Sequence, residues 1–188
     1  MKIGFIGCGN MAKAIIAGLI KTNTFLPEEI IASDNSEKAL SDAKNMYGIN
    51  TTVNNSELVL ESEMILLAVK PQVIASVINE ICDTVSENKI IISIVAGQSI
   101  DRIESLFGRN IKLIRTMPNT PALCGEGMTA VCANGNVTDV ELAYALKILS
   151  SFGKAEVVPE KLMDAVVAVS GSSPAYVAMF IEAMADAA

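Results

Sequence analysis

Three small residues near the start of the chain have the spacing of a phosphate-binding turn. Gly7, Gly9 and Ala12 follow an apolar run at residues 2–6 and open an apolar, alanine-rich segment at residues 10–22. Gly7 permits a sharp turn, the missing side chain of Gly9 lets a phosphate approach the backbone, and Ala12 lets helix pack on strand. Strand, glycine turn and helix in this order predict a dinucleotide site, because unpaired N–H groups of the first helical turn attract the pyrophosphate.

A carboxylate follows the second predicted strand. Asp34 stands where an acidic side chain commonly binds the ribose hydroxyls of the adenosine, and Ser33, Asn35 and Ser36 surround it. A carboxylate disfavours a ribose 2′-phosphate, whereas the polar cluster together with Lys38 would favour one. The spacing therefore leaves NAD and NADP both open. The competing interpretation of Asp34 is a helix N-cap.

Three more strand ends carry residues of chemical interest. Lys70 follows the fourth predicted strand, where it faces either the cofactor or solvent. Ala96 and Gly97 end the fifth strand, and their small size would let a nicotinamide ring lie against the backbone. The sixth strand leads into residues 115–121, in which two prolines flank Asn119 and its neighbour. This segment is either a rigid loop over the cofactor crevice or a plain turn.

Alternating apolar runs and amphipathic segments predict the elements that hold these residues. Strands are predicted at residues 2–6, 29–33, 50–53, 64–69, 89–95, 112–116, 128–133 and 154–158. Helices are predicted at residues 10–22, 36–47, 56–61, 71–82, 100–107, 138–151, 160–169 and 175–185, with a break at Gly171. The predicted fold class is α/β, a Rossmann-like, doubly wound and mostly parallel sheet.

Composition excludes several function classes. The 188 residues include no histidine and four cysteines without CxxC spacing, which argues against zinc sites and histidine-dependent triads. A net charge of −7 without a basic stripe argues against nucleic acid as a partner. No apolar run is expected to reach the length of a membrane span, and the first residues are expected to form a strand, turn and helix and not a signal peptide. Cys8 is expected to be a small packing residue and not a nucleophile. The expected compartment is a reducing cytoplasm.

Five segments together resemble pyrroline-5-carboxylate reductase, and the resemblance covers residues 1–188. The segments are FIGCGNMAKAI, LLAVKPQ, SIVAG, RTMPNTPALCGEGMT and AVSGSSPAYVAMFIEAMADAA. The resemblance implies reduction of 1-pyrroline-5-carboxylate to L-proline by a hydride from NADPH or NADH, in a homodimer or higher homo-oligomer. A cyclic imine protonated by solvent needs only a positioned hydride, so a chain without histidine is compatible with this substrate.

The resemblance also implies which residues contact the cofactor, and it assigns no catalytic residue and no metal ligand. Near the pyrophosphate it places Ile6, Gly7, Cys8, Gly9, Asn10 and Met11, and near the adenosine Ser33, Asp34, Asn35 and Asn55. Along the cofactor and near the nicotinamide it places Ala68, Val69, Lys70, Pro71, Ala96, Gly97, Met117, Pro118 and Asn119.

The domain organisation follows from the same resemblance. Residues 1–159 would form the dinucleotide-binding domain, and residues 160–188 would begin a helical dimerisation domain. The family's Ser-Pro-Gly-Gly-Thr segment, which holds the substrate carboxylate, does not occur in the sequence. The chain is therefore expected to be a fragment, with its substrate residues elsewhere. Two rival functions stay open: a related 3-hydroxy acid dehydrogenase, and a non-catalytic dinucleotide-binding module.

Overall fold

A computed structural model describes residues 2–188, and within them eight strands form one sheet. The strands are β1 Ile3–Ile6, β2 Ile30–Ser33, β3 Asn50–Thr52, β4 Met64–Leu67, β5 Ile90–Ser93, β6 Lys112–Met117, β7 Gly127–Ala133 and β8 Gly153–Val157. Their spatial order is β3-β2-β1-β4-β5-β6-β7-β8. Strands β1 to β6 are parallel, β7 is antiparallel to β6, and β8 is parallel to β7. The predicted Rossmann-like, mostly parallel sheet is confirmed.

Helices cover both faces of this sheet. They are α1 Asn10–Lys21, α2 Glu37–Tyr47, α3 Asn55–Glu61, α4 Ile74–Ile81, α5 Ile100–Phe107, α6 Asp139–Leu149, α7 Met163–Val166 and α8 Ser173–Ala187. On one face, Phe5 of β1 packs in a buried cluster with Ile15 of α1 and with α2 and α6. On the other face, Ile65 of β4 and Ile78 of α4 share a cluster with α3 and α5. Because both faces of the central strands are buried, these strands appear in the sequence as continuous apolar runs.

The last helical stretch differs from its prediction. Gly171 does not break it: residues 167–171 form a π-helical turn, in which Ser172 N donates to the Val167 carbonyl over 3.1 Å, and α8 follows directly. The stretch Glu160–Ala187 is long and apolar enough to cross a membrane, which corrects the expectation that no segment reaches that length. Length and composition alone do not distinguish a membrane span from an apolar surface that another protein covers.

An ion pair between a buried arginine and a partly exposed glutamate fixes the first turn of this stretch to the sheet. Arg115 on β6 is only 8% exposed, and its Nη1 donates to Glu160 Oε1 over 2.9 Å. The same carboxylate oxygen accepts the backbone N–H of Ile100 over 2.8 Å, at the start of α5. Glu160 therefore joins β6, α5 and the helical stretch at one point.

Cys132, which pairs with Arg115 across β6 and β7, is expected to make folding stability sensitive to alkali. Burial raises the pKa of its thiol from an ordinary value near 9 to about 11, the Glu160 charge adds to the rise, and Arg115 opposes it. Between these values the folded chain keeps a proton that the unfolded chain has lost, so the free energy of unfolding falls as pH rises. We expect this residue to contribute a fall of about 2 kcal/mol between pH 9 and 11.

Urea unfolding at a series of pH values measures this contribution. In Cys132→Ala the free energy of unfolding should fall less steeply between pH 9 and 11, although removing the buried sulfur lowers stability at every pH. Cys124→Ala is the matched control, because Cys124 is exposed and its removal should leave the decline unchanged. An alkaline slope in Cys132→Ala as steep as that of the wild type would contradict the prediction.

Candidate functional site

A crevice of about 380 Å³ opens where the strand order reverses between β1 and β4. Ligands of open parallel sheets bind at this switch point, outside the carboxyl ends of the strands. The crevice is lined by the glycine loop after β1, the ends of β2 and β4, the start of α3 and one side of α4. The lining residues are Ile6, Gly7, Gly9, Ser33, Asp34, Asn35, Asn55, Ala68, Val69, Lys70, Val73, Ser76, Val77 and Glu80.

The glycine loop has the backbone that a dinucleotide requires. Gly7 has φ +98°, and a Cβ there would lie 2.6 Å from the Ala68 carbonyl oxygen, so only glycine fits. A Cβ on Gly9 would meet no atom of the described residues within 4 Å, so open space lies in front of the loop. Gly9 is also the N-cap of α1, and within residues 2–188 no side chain caps this helix end. Its first-turn N–H groups therefore suit a pyrophosphate.

Asp34 connects the loop to the end of β2. Its Oδ2 accepts the backbone N–H of Cys8 over 2.8 Å, and its Oδ1 accepts that of Ser36 over 2.9 Å. The N-cap of α2 is Ser36, whose hydroxyl accepts from Ala39 N over 3.2 Å. The competing interpretation of Asp34 as the N-cap is therefore wrong, and Asp34 lines the crevice.

A hydrogen-bonded chain of side chains closes the same end of the crevice. Ser33 Oγ, on a fully buried residue, donates to Asn55 Oδ1 over 2.6 Å, and Asn55 Nδ2 donates to Glu80 Oε2 over 2.8 Å. These two hydrogen bonds join β2, α3 and α4. They place Asn55 on the crevice wall, on the side where the resemblance puts the adenosine.

The wall contributed by α4 was missed by the sequence analysis. Ser76, Val77 and Glu80 of α4 line the crevice together with Val73, the residue before this helix, and the spacing of i, i+3, i+4 and i+7 is one face of a helix. The predicted helix at residues 71–82 contained this signal. It was hidden because the buried face of the same helix, with Ile78, is the more apolar one.

Ten of the predicted cofactor residues line the crevice and nine do not. The ten are Ile6, Gly7, Gly9, Ser33, Asp34, Asn35, Asn55, Ala68, Val69 and Lys70. Of the others, Cys8 is buried beneath the loop, Asn10 and Met11 begin α1, and Pro71 follows β4. Ala96 and Gly97 lie exposed after β5, and Met117, Pro118 and Asn119 lie at the end of β6. Burial raises the pKa of the Cys8 thiol, which keeps it neutral and suits a packing role.

The side chain of Asn119 forms hydrogen bonds to other residues of the chain. Its Oδ1 accepts Met128 N over 2.8 Å, and its Nδ2 donates to the backbone oxygen and hydroxyl of Ser170 over 3.3 and 3.2 Å. Asn119 thus ties the end of β6 to β7 and to the π-helical turn. A hollow of about 560 Å³ lies beside it, between this loop and α8.

A larger, open hollow of about 890 Å³ lies away from the switch point. It is formed by α5, the loop after β7 and the segment after β8. None of the predicted cofactor residues, all of which the structure describes, lines it. Within residues 2–188, no group of three or more histidine, cysteine or acidic side chains is arranged to hold a metal ion. The crevice at β1 and β4 is therefore the site that the motifs and the geometry share.

Comparison with known proteins identifies the family. The pyrroline-5-carboxylate reductase of Escherichia coli (strain K12) is 46% identical over 187 residues, which cover 100% of this chain and 70% of that protein. The chain belongs to the pyrroline-5-carboxylate reductase family. The resemblance of the sequence motifs is thereby confirmed, and the interpretation as a 3-hydroxy acid dehydrogenase is set aside.

Solved reductases of this family have the same fold. The Plasmodium falciparum pyrroline carboxylate reductase with NADP bound matches 100% of this chain and 68% of its own, at 36% identity and a TM-score of 0.91. The Coxiella burnetii pyrroline-5-carboxylate reductase matches 99% of this chain and 69% of its own, at 35% sequence identity and a TM-score of 0.92. A family model described as NADP oxidoreductase coenzyme F420-dependent matches residues 2–97, and one described as pyrroline-5-carboxylate reductase dimerisation matches residues 160–188.

Proposed function

We propose that this chain catalyses the NAD(P)H-dependent reduction of 1-pyrroline-5-carboxylate to L-proline, with the dinucleotide held in the crevice between β1 and β4. The observation that carries the assignment of the crevice is the open space in front of Gly9, next to the uncapped end of α1. The glycine loop holds the pyrophosphate, and Asp34 with Asn55 adjoins the adenosine ribose. Ala96 and Met117 to Asn119 lie toward the nicotinamide end.

The chain's contribution to the reaction is orientation. The bound reduced nicotinamide supplies the hydride that reduces the imine carbon. The chain contains no histidine, and a cyclic imine takes its proton on nitrogen from solvent before it binds. The glycine loop and the crevice then hold the dinucleotide in one orientation, and a fixed approach of nicotinamide and iminium lowers the entropic part of the barrier.

A spectrophotometric assay tests the proposal. The chain is mixed with NADPH or NADH, and the absorbance of the reduced dinucleotide is followed after 1-pyrroline-5-carboxylate is added. The same assay is run on a longer chain that carries the family's Ser-Pro-Gly-Gly-Thr segment, and in that chain we expect oxidation only in the presence of the imine, with L-proline as the product by amino-acid analysis. Binding of the dinucleotide by both chains without proline formation in either would instead favour the non-catalytic module.

We also propose that the apolar surface of α8 is an interface between copies of the chain. No residue of α8, all of which the structure describes, is buried, and Tyr176, Met179, Phe180 and Ile181 are more than half exposed. The match of residues 160–188 to the dimerisation model supports a subunit interface over a membrane span. The charges of Glu182 and Asp186 on the same helix favour the same assignment.

The domain division and the compartment complete the proposal. Residues 1–159 are assigned to dinucleotide binding and residues 160–188 to assembly, because the two buried clusters of the core draw nearly all their members from the first range. The cytoplasm is the proposed compartment. The four cysteines, all within the described residues, form no disulfide, as suits a reducing environment.

A further inference from the structure

The end of the crevice next to β2 and α3 carries two carboxylates. Asp34 and Glu80 both line it, and among the described lining residues Lys70 is the one cation. We infer that Asp34 and Glu80 make this crevice select NADH, with its free ribose 2′-hydroxyl, over the 2′-phosphorylated NADPH. The inference rests on the proposed function, which assigns the dinucleotide to this crevice.

The geometry of Asp34 leaves room for ribose hydroxyls. Each carboxylate oxygen accepts one backbone N–H, from Cys8 and from Ser36, and an ionised carboxylate has about four acceptor positions. The remaining positions suit the O–H donors of an unmodified ribose. A 2′-phosphate brought to the same place would put negative charge beside the carboxylate.

Three of the hydrogen-bond donors at this end of the crevice already have partners. The Ser33 hydroxyl donates to Asn55, one N–H of Asn55 donates to Glu80, and the backbone N–H of Ser36 donates to Asp34. This end of the crevice is therefore rich in hydrogen-bond acceptors. Acceptors complement hydroxyl groups and repel a phosphate, which is itself an acceptor.

The nearby cations do not neutralise these carboxylates at the crevice wall. Lys38 is exposed on α2 and does not line the crevice. Lys70 follows β4, which is separated from β2 by β1. Two strand spacings amount to about 10 Å, roughly the distance over which salt screens exposed charges. Among the residues that line the crevice, a 2′-phosphate near Asp34 would thus meet two carboxylates, and Lys70 is the one cation of that lining.

Calorimetric titration of the full chain with NADH and with NADPH tests the inference. We expect the dissociation constant of NADH to be lower by at least about tenfold. Asp34→Asn keeps the size of the side chain and removes its charge, so the preference should shrink by about tenfold through tighter NADPH binding. Glu80→Gln should shrink it by about threefold. Glu87→Gln is the control: it removes an exposed charge that does not line the crevice, and it should leave the ratio of the NADPH and NADH dissociation constants unchanged.

The outcomes separate this inference from the proposed function. Equal affinity for the two dinucleotides, or tighter binding of NADPH by the wild-type chain, would overturn the selectivity and leave the crevice assignment intact. An unchanged ratio in Asp34→Asn would equally overturn the role of that carboxylate. If the wild-type chain bound neither dinucleotide, the assignment of the crevice would fail and the selectivity with it. The wild-type comparison needs no variant, so it decides even if a substituted chain fails to fold.

Discussion

Gly9→Val is expected to weaken the binding of NADH and NADPH by at least about 100-fold while leaving the fold intact. A Cβ at Gly9 meets no described atom within 4 Å, so the valine side chain has room in the free protein. In the proposed binding mode, the pyrophosphate approaches the first-turn N–H groups of α1 through that same space. The added methyl groups would hold the phosphate away from them and remove charge-assisted hydrogen bonds. Calorimetry measures the binding, and thermal unfolding checks the fold.

Gly135→Val is the matched control for this substitution. A Cβ at Gly135 also meets no described atom within 4 Å, and Gly135 lies in the loop after β7, outside the crevice. It should therefore bind both dinucleotides as the wild type does. Wild-type affinity in Gly9→Val would show that the glycine loop does not hold the pyrophosphate. Equal losses in both variants would point to a general effect of valine.

The sheet and most helices could be predicted because their signals are local. Apolar runs of four to six residues alternate with amphipathic segments, and this alternation has few solutions other than a parallel sheet covered on both faces. The π-helical turn could not be predicted this way. The local pattern favours a helix break at Gly171, because glycine is a poor helix former. In the structure, Asn119 forms hydrogen bonds to the neighbouring Ser170, and a Cβ on Gly171 would lie 3.2 Å from the terminal methyl group of Met117. These contacts are tertiary, so they have no counterpart in the local pattern around Gly171.

The candidate site was predictable to the extent that it follows the ends of strands. The glycine loop, Asp34 and Lys70 are positioned by strands whose order can be inferred, so they were found from motif and spacing. Glu80 was not found, because its place on the wall depends on how α4 rotates against the sheet. The carboxamide of Asn119 turns toward the protein for a similar reason, because one of its partners, Ser170, lies 51 residues further along the chain.

Phe180→Glu is expected to weaken self-association of the chain by at least about 100-fold. Phe180 is 66% exposed on α8, in the middle of an apolar surface that a second copy would cover. A glutamate there would lose its hydration on association without gaining a partner, which costs several kcal/mol. Sedimentation equilibrium over a range of protein concentrations measures the association constant of the wild type and the variant.

Leu60→Glu is a suitable control, because Leu60 on α3 is 70% exposed and lies outside residues 160–188. The same change of an exposed apolar side chain to a carboxylate should there leave the association constant unchanged. A wild-type chain that stays monomeric at high concentration would contradict the interface. Binding of that monomer to lipid vesicles, lost in Phe180→Glu, would instead assign the apolar face of α8 to a membrane. The measurement therefore distinguishes the two partners that the length and composition of this helix allow.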